Sequence, residues 1–384
     1  MTRVWIEDRA NHADYRDRVE TAKKAKRTPP GRWRVRWYDP SGKPKAKTFA
    51  KKTDADTCRS QVEHDLKGGE YQDPATARTR LVDVAEPWFA AKTDLEQGSR
   101  DIYRDHLDNY VLPRWGTVPV GAISFEDVAV WVGKLQSDPG RGGRPLAPAT
   151  VRSIHLVLLS VLEWAVKTGK LRKNPARDVP LPKKPPRNHV YLSHVEVEQL
   201  ACAAGEHGTL IRFLSYTGLR WSEASALTVG KIDLDARRAH VDRAYKDNKG
   251  TLTLGMPKTG EARSVPFPSF LSAELKPFVD GRDTGELVFT AKQGGPLWLR
   301  NWRPRAFRKA VDSAGLSGRS LTPHKLRHTA ASLAIAAGAD VYVVQKMLGH
   351  KKPSMTLDIY GHLWPDRLDE VANALDAKRA EHLT

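Results

Sequence analysis

Cysteine is almost absent from this sequence: 384 residues contain two, Cys58 and Cys202. Thiols so widely separated make no disulfide framework, and no C-x-x-C pair offers a zinc site. A reducing, cytoplasmic setting is therefore expected, with no metal. Long apolar runs are scarce too. None reads as the roughly 18 apolar residues of a membrane helix, so no membrane partner is expected. The opening residues, MTRVWIEDRANHADYRDR, carry acids throughout and lack the apolar stretch of a signal peptide. There is no G-x-G-x-x-G, no Walker lysine motif and no internal repeat, which leaves no reason to expect a nucleotide or other cofactor. Negative charge is the minority sign. Asp and Glu number 45 against 63 Lys and Arg, a formal net charge of +18. With a pI near 9.8, that excess makes a polyanion, nucleic acid above all, the natural partner.

What is present suffices for several folded domains. Hydrophobic residues make up 40% and charged residues 28%, the balance of a globular chain. The length suggests two or three domains. The pattern predicts a multidomain α+β organisation. Residues 1–76 read as a small basic β-sheet with one helix and 77–174 as an all-α unit. A Pro-rich basic linker spans 175–189. The remainder, 190–384, reads as mixed and mainly α with a small antiparallel sheet.

In the first segment, twelve Lys or Arg lie between Lys23 and Lys52 against one acid, Asp39. Residues 32–38 alternate, so a strand's pleat sets Arg32, Arg34 and Arg36 on one face and aromatic or aliphatic side chains on the other. Residues 39–42 turn the chain, and 43–49 return with Lys43, Lys45 and Lys47. A helix to Lys67 follows, stopped by Gly68-Gly69. An arginine-faced ribbon suits a DNA groove, and arginine binds phosphate. The second segment predicts helices over 81–92, 99–111 (ended near Pro113), 124–135 and 149–168. Nothing in it looks catalytic. Five prolines between Arg172 and Arg187 favour a stiff extended spacer, whose Lys183 and Lys184 suit a phosphate backbone.

Four local patterns in the last segment carry chemistry. In Tyr216-Thr-Gly-Leu-Arg220-Trp-Ser-Glu223, Gly218 ends one helix and Ser222 caps the next. Arg220 then sits at a helix N-terminus, where backbone N–H groups already favour an anion. Its guanidinium can hold two phosphate oxygens. In Pro257-Lys258-Thr-Gly260, Lys258 projects from a hairpin turn. In Thr322-Pro323-His324-Lys-Leu-Arg327-His328, Thr322 and Pro323 start a helix. His324 and Arg327 then share one face, while His328 faces differently and reads as structural. In Leu348-Gly-His350 and the ten residues after it, Asp340 caps a helix that Gly349 stops, His350 follows, and Ser354 caps the short helix carrying Tyr360. Taken singly, each of these residues is an ordinary surface or core side chain.

Together, in this order and these contexts, Arg220, Lys258, His324, Arg327, His350 and Tyr360 closely resemble the catalytic signature of tyrosine site-specific recombinases. The resemblance covers about 190–370, and Glu223 matches the acid that supports the first arginine. Earlier segments resemble that family's core-binding domain and, more loosely, the arm-binding domain of lambda-type phage integrases. An actinobacterial phage or mobile-element integrase is similar to this sequence. The resemblance implies metal- and ATP-independent strand transfer. Arg220, Arg327 and His350 would hold the scissile phosphate, Tyr360 would form a 3′-phosphotyrosine, His324 or a water near it would take the phenolic proton, and Lys258 would protonate the leaving 5′ oxygen. It also implies double-stranded attachment sites as substrate, a homotetramer on DNA, and a host bending protein and an excision factor as further partners. Three rivals stay open. They are a host-type dimer-resolving recombinase, a catalytically silent DNA-binding regulator, and a type IB topoisomerase. The apolar positions after Tyr360 predict a terminal amphipathic helix over 365–379, packed on its own domain or exchanged with a neighbour.

Overall fold

The computed structural model describes residues 4–383 apart from 41, 69, 70, 72, 74, 139, 141, 142, 186–188, 249, 259 and 365–367. The chain forms two compact units, Met1–Pro186 and Arg187–Thr384. The first begins with β1 (Trp5–Asp8), α1 (Ala13–Lys24), β2 (Trp33–Tyr38), β3 (Pro44–Phe49) and α2 (Lys52–Lys67). The strands make one antiparallel sheet in that order. Val35 and Trp37 of β2 are buried against Ala55 of α2, with Val62 and Leu66 beside them.

The expected hairpin and helix are present, but β1 and α1 are additions. β1 is acidic where β2 is basic, and the register sets Glu7 opposite Arg34 and Trp5 opposite Arg36. Asp8 takes a hydrogen bond from Arg32 at 2.8 Å, and Glu7 lies 3.9 Å from Arg34 and 3.8 Å from Arg36. The expected basic face is therefore partly neutralised. A second correction follows from the pleat. Directly opposed residues share a face, and Lys47 opposes Val35 while Lys45 opposes Trp37. Those two lysines lie on the helix side of the sheet, not with Arg34 and Arg36. Lys45 forms an ion pair with Asp73, and the Lys47 amine sits over the Phe49 ring.

The helical part comprises α3 (Leu81–Ala90), α4 (Gln97–His106), α5 (Leu112–Trp115), α6 (Phe125–Ser137) and α7 (Pro148–Lys167). Pro113 does not stop the second predicted helix. A π-helical turn over Leu107–Val111 carries α4 into α5, and Pro113 enters at the first turn of α5, where its missing N–H is tolerated. By length and average composition α7 could cross a membrane, although Arg152 and Glu163 interrupt its apolar residues. Its apolar face is used inside this unit: Val151, Ile154, Val157, Leu158, Val161 and Leu162 are all buried.

The predicted spacer is partly packed too. Ala176 and Val179 enter the same core. Asn174 donates to the Leu159 carbonyl at 2.9 Å, and Arg152 to the Pro182 carbonyl at 3.1 Å. Proline keeps the strand extended, and its apolar side chains find α7. Lys183 and Lys184, just beyond, are exposed.

The second unit runs α8 (His194–Ala203), α9 (Gly208–Thr217), α10 (Trp221–Ala224), β4 (Ile232–Asp233), β5 (Arg238–Val241), β6 (Ala244–Asn248), β7 (Thr251–Gly255) and β8 (Arg263–Pro266). It continues with α11 (Ser269–Val279), α12 (Leu299–Trp302), α13 (Arg308–Ser313), α14 (Pro323–Ala336), α15 (Val341–Leu348), α16 (Pro353–Tyr360) and α17 (Leu368–Leu383). One small sheet becomes two, ordered β4-β5-β8 and β6-β7. The core gathers Leu200, Ile211, Phe213, Leu214, Val265 and Leu326. The central helix α14 packs along α9 and against α15. Side chains 372–382 of α17 are exposed, Leu375 at 67%.

Candidate functional site

Helix α9 ends at Thr217 because Gly218 turns left-handed, at φ 67°. A side chain there would also meet Leu348 Cδ2 at 2.8 Å. Two residues on, Arg220 itself is the N-cap of α10, not Ser222. The Glu223 carboxylate accepts from the Arg220 backbone N–H at 2.9 Å and from its Nη1 at 2.8 Å. Glu223 is 1% exposed. Burial alone would raise its pKa, but hydrogen bonds and charge from Arg263, then Arg220, bring it down to about 2.

Arg263 was not singled out from the sequence. It grips both Glu223 oxygens, Nη1 at 3.1 Å and Nη2 at 2.7 Å. The available signal was its place opening β8, five residues past Lys258. Lys258 is exposed in the turn closed by Gly260 N–H to the Pro257 carbonyl at 2.8 Å. That turn joins β7 of one sheet to β8 of the other, so it is not the tip of a single hairpin.

Pro323 opens α14 as expected, although the Thr322 hydroxyl makes no capping bond. His324 and Arg327 lie one turn apart. Arg327 is 3% exposed and donates to the Gly218 and Leu348 carbonyls, both at 2.6 Å. It thus caps the C-terminal ends of α9 and α15, where helix dipoles favour a cation. Burial and the neighbouring Arg220 pull its pKa down, but those carbonyls and the chemistry of guanidinium keep it charged at neutral pH. Asp340 caps α15 through the Val343 N–H at 2.8 Å. Gly349 ends it left-handed at φ 64°. His350 then shares a 2.9 Å hydrogen bond with Thr356. Burial, then the charges of Arg327, Arg220 and Arg263, hold its pKa at about 4. Desolvation and the charges of Arg327, Arg220, Lys325 and Lys258 lower that of His324, although the residue remains exposed overall.

The arginines and histidines of the expected set therefore gather in one electrostatic neighbourhood, which the charge of Lys258 reaches. Tyr360 adjoins it but is withdrawn. It ends α16, which starts at Pro353 behind an N-cap at Lys352 and not at Ser354. Its side chain is 1% exposed and packs with Ala331, Ile335, Val344 and Leu348. Its hydroxyl is 2.7 Å from Nδ1 of His328. Burial lifts the phenol to about 12 against the pull of Arg327. Burial also drops His328 to about 3, ahead of the charge contributions of His324 and Lys325. His328, read from spacing as facing differently and structural, holds the Tyr360 hydroxyl. Four residues from His324, it lies on the adjoining face, and the two rings are 4.9 Å apart.

Beside Arg220 and His324 opens a cleft of about 760 Å³, whose walls include Trp221, Arg300, Arg303 and Arg308. Fixed cations facing a basic cleft, neutral imidazoles and a phenol are the parts needed to bind a phosphodiester and move protons around it. The proposed contacts Arg32, Arg34, Arg36, Lys43, Lys45, Lys47, Lys183 and Lys184 belong to the other unit.

Residues 191–367 match the phage integrase family. The tyrosine recombinase XerC of Oceanobacillus iheyensis is 29% identical over 287 residues, covering 70% of this chain and 86% of that protein. Two solved structures share the fold. One is the Tn1549 transposon integrase in complex with transposon right end DNA (TM-score 0.66, 20% identity, 79% of this chain and 100% of that one). The other is a lambda integrase tetramer bound to a Holliday junction (TM-score 0.56, 18% identity, 87% and 93%). With its family segment laid over the cluster built by Arg220, Glu223, His324, Arg327, His350 and Tyr360, the chain belongs to the tyrosine recombinases, a family of DNA strand-transferring enzymes.

Proposed function

We propose that this recombinase is an integrase of mobile DNA, one that cuts and rejoins double-stranded attachment sites through a 3′-phosphotyrosine at Tyr360. The observation that carries the reading is that His324 and His350 both lie within reach of the charges of Arg220 and Arg327, with Glu223 holding Arg220 and Tyr360 adjoining Arg327. Arg220, Arg327 and His350 would hold the non-bridging oxygens of the scissile phosphate and stabilise the charge that grows there in the transition state. The Tyr360 oxygen attacks phosphorus in line, the bond to the 5′ oxygen breaks, and Lys258 gives that oxygen its proton. His324, kept neutral by its surroundings, accepts the phenolic proton. The covalent link conserves the phosphodiester energy, so rejoining runs the steps backwards without ATP. Tyr360 must leave its pocket for this, since a 1% exposed phenol cannot meet a duplex.

The partners follow the same reading: core and arm DNA sites, and a homotetramer assembled on them. The solvent-facing α17 supports exchange with a neighbouring copy. A host bending protein and an excision factor would set direction. The similarity to XerC favours the host-type alternative, a resolver of chromosome dimers. The separate basic sheet built by β1–β3 favours the integrase. The test is covalent trapping on a nicked suicide attachment site. Wild-type protein is expected to give a covalent band on a denaturing gel, and Tyr360→Phe none, with DNA binding unchanged. A band that survives in Tyr360→Phe would overturn the assignment.

A further inference from the structure

Lys258 is exposed on a turn that joins two separate sheets, so something else must fix that lysine relative to the arginines. The residue placed to do so is Arg263, which opens β8 immediately after the turn. It makes three distinct attachments. Its guanidinium binds both oxygens of Glu223, at 3.1 and 2.7 Å, and the same carboxylate holds Arg220. Its Nε donates to the Met347 carbonyl, in the last turn of α15, at 3.4 Å. And it lies flat against Gly349, where a Cβ would meet its Cδ and Nε at 3.0 Å and its Cζ at 3.1 Å. The residue after Gly349 is His350. The ion pair is dry, with side-chain exposures of 11% for Arg263 and 0% for Glu223. Only a planar fork satisfies two carboxylate oxygens and a carbonyl together.

Resting on the strand-transfer reading above, we propose that Arg263 is a positioning residue of that reaction. It keys the Lys258 turn to Arg220 through Glu223, and to His350 through Gly349. Without it, Lys258 is no longer held where the leaving oxygen departs, and the carboxylate that orients Arg220 loses its main partner. The step most affected is proton delivery as the P–O5′ bond breaks. A substrate whose bridging 5′ oxygen is replaced by sulfur needs no such proton, because a thiolate leaves unaided.

The experiment uses the full chain with Arg263→Lys and Arg263→Ala on a suicide duplex carrying oxygen or sulfur at the scissile 5′ position. Single-turnover covalent complex formation, gel-shift binding and thermal melting are recorded together. On the oxygen substrate, both variants are expected to slow by about 100-fold with binding little changed. Lysine rescues poorly because one amine cannot replace the fork. On the sulfur substrate most of that loss is expected to return. Loss that sulfur does not restore, or that follows weakened DNA binding, would overturn the proposal. If the alanine variant does not fold, Gly349→Ala probes the same contact, because its methyl must displace Arg263. It too should be slower with oxygen than with sulfur, and equal slowing on both would count against the idea. A Tyr360→Phe control that still yields covalent product would sink the strand-transfer reading itself, and this one with it.

Discussion

Two groups of three arginines behave differently in this molecule. Arg32, just before β2, and Arg34 and Arg36, on the face of β2 opposite its buried Val35 and Trp37, meet Asp8 and Glu7 at distances of 2.8 to 3.9 Å. Arg220, Arg263 and Arg327 surround Glu223, and their cluster is nearly closed to solvent. The first group can exchange its acidic partners for phosphates at little expense, since surface ion pairs contribute little. The second cannot. Its geometry is set by a buried carboxylate and by the carbonyl ends of two helices before any DNA arrives. Binding surfaces tolerate loose arginines, whereas a reacting phosphate needs arginines that are already in place.

The sharpest way to break that contrast is Glu223→Ala. Removing the one anion leaves Arg220 and Arg263 unpaired in a dry site, and a loss of about 3–5 kcal/mol is expected. Urea denaturation would measure it. A loss below about 1 kcal/mol would mean that the buried cluster is no more demanding than the surface one.

A middle-sized effect comes from pH. His350 and His328 titrate at about 4 and about 3 in the folded chain, against an ordinary value of about 6.5. Below that value the unfolded chain takes up protons that the folded chain refuses, so stability falls as pH drops from about 6.5 towards 4. Each histidine contributes on the order of 2 kcal/mol to the fall. Melting curves of wild type and His328→Phe between pH 7 and 4 test this. The variant should show the shallower decline, and parallel curves would remove His328 from the account.

The smallest effect is expected at Arg34. Arg34→Ala should leave melting unchanged. It should lower the salt dependence of arm-site binding by about one ion if Arg34 meets phosphate, or relax sequence preference at one position if it reads a base. Wild-type binding and salt slope for the variant would move the DNA contact elsewhere in the sheet.

Much of the catalytic unit was legible because its signals are local. Gly218 and Gly349 stop helices wherever a left-handed residue is needed, Asp340 caps by its own carboxylate, and a three-residue spacing sets His324 beside Arg327. What escaped depends on long-range contacts. No periodicity announces that Arg263 reaches back 40 residues to Glu223. Nor does any pattern in β2 reveal that β1 will lay Glu7 beside its arginines. The face on which Lys45 and Lys47 lie could not be read from their strand alone, because register belongs to the pair of strands and not to either one. The apolar face of α7 shows only when its residues are set on a helix, because polar residues interrupt every run along the sequence.

The pocket around Tyr360 bears on how often the reaction can start. Burial lifts the phenol to about 12, so in its pocket it stays protonated at neutral pH. A net charge of +18 favours contact with nucleic acid of any sequence. Under the strand-transfer proposal, unrelated DNA meets a nucleophile that is both buried and protonated, and only an assembly that draws Tyr360 away from His328 exposes its strands to attack.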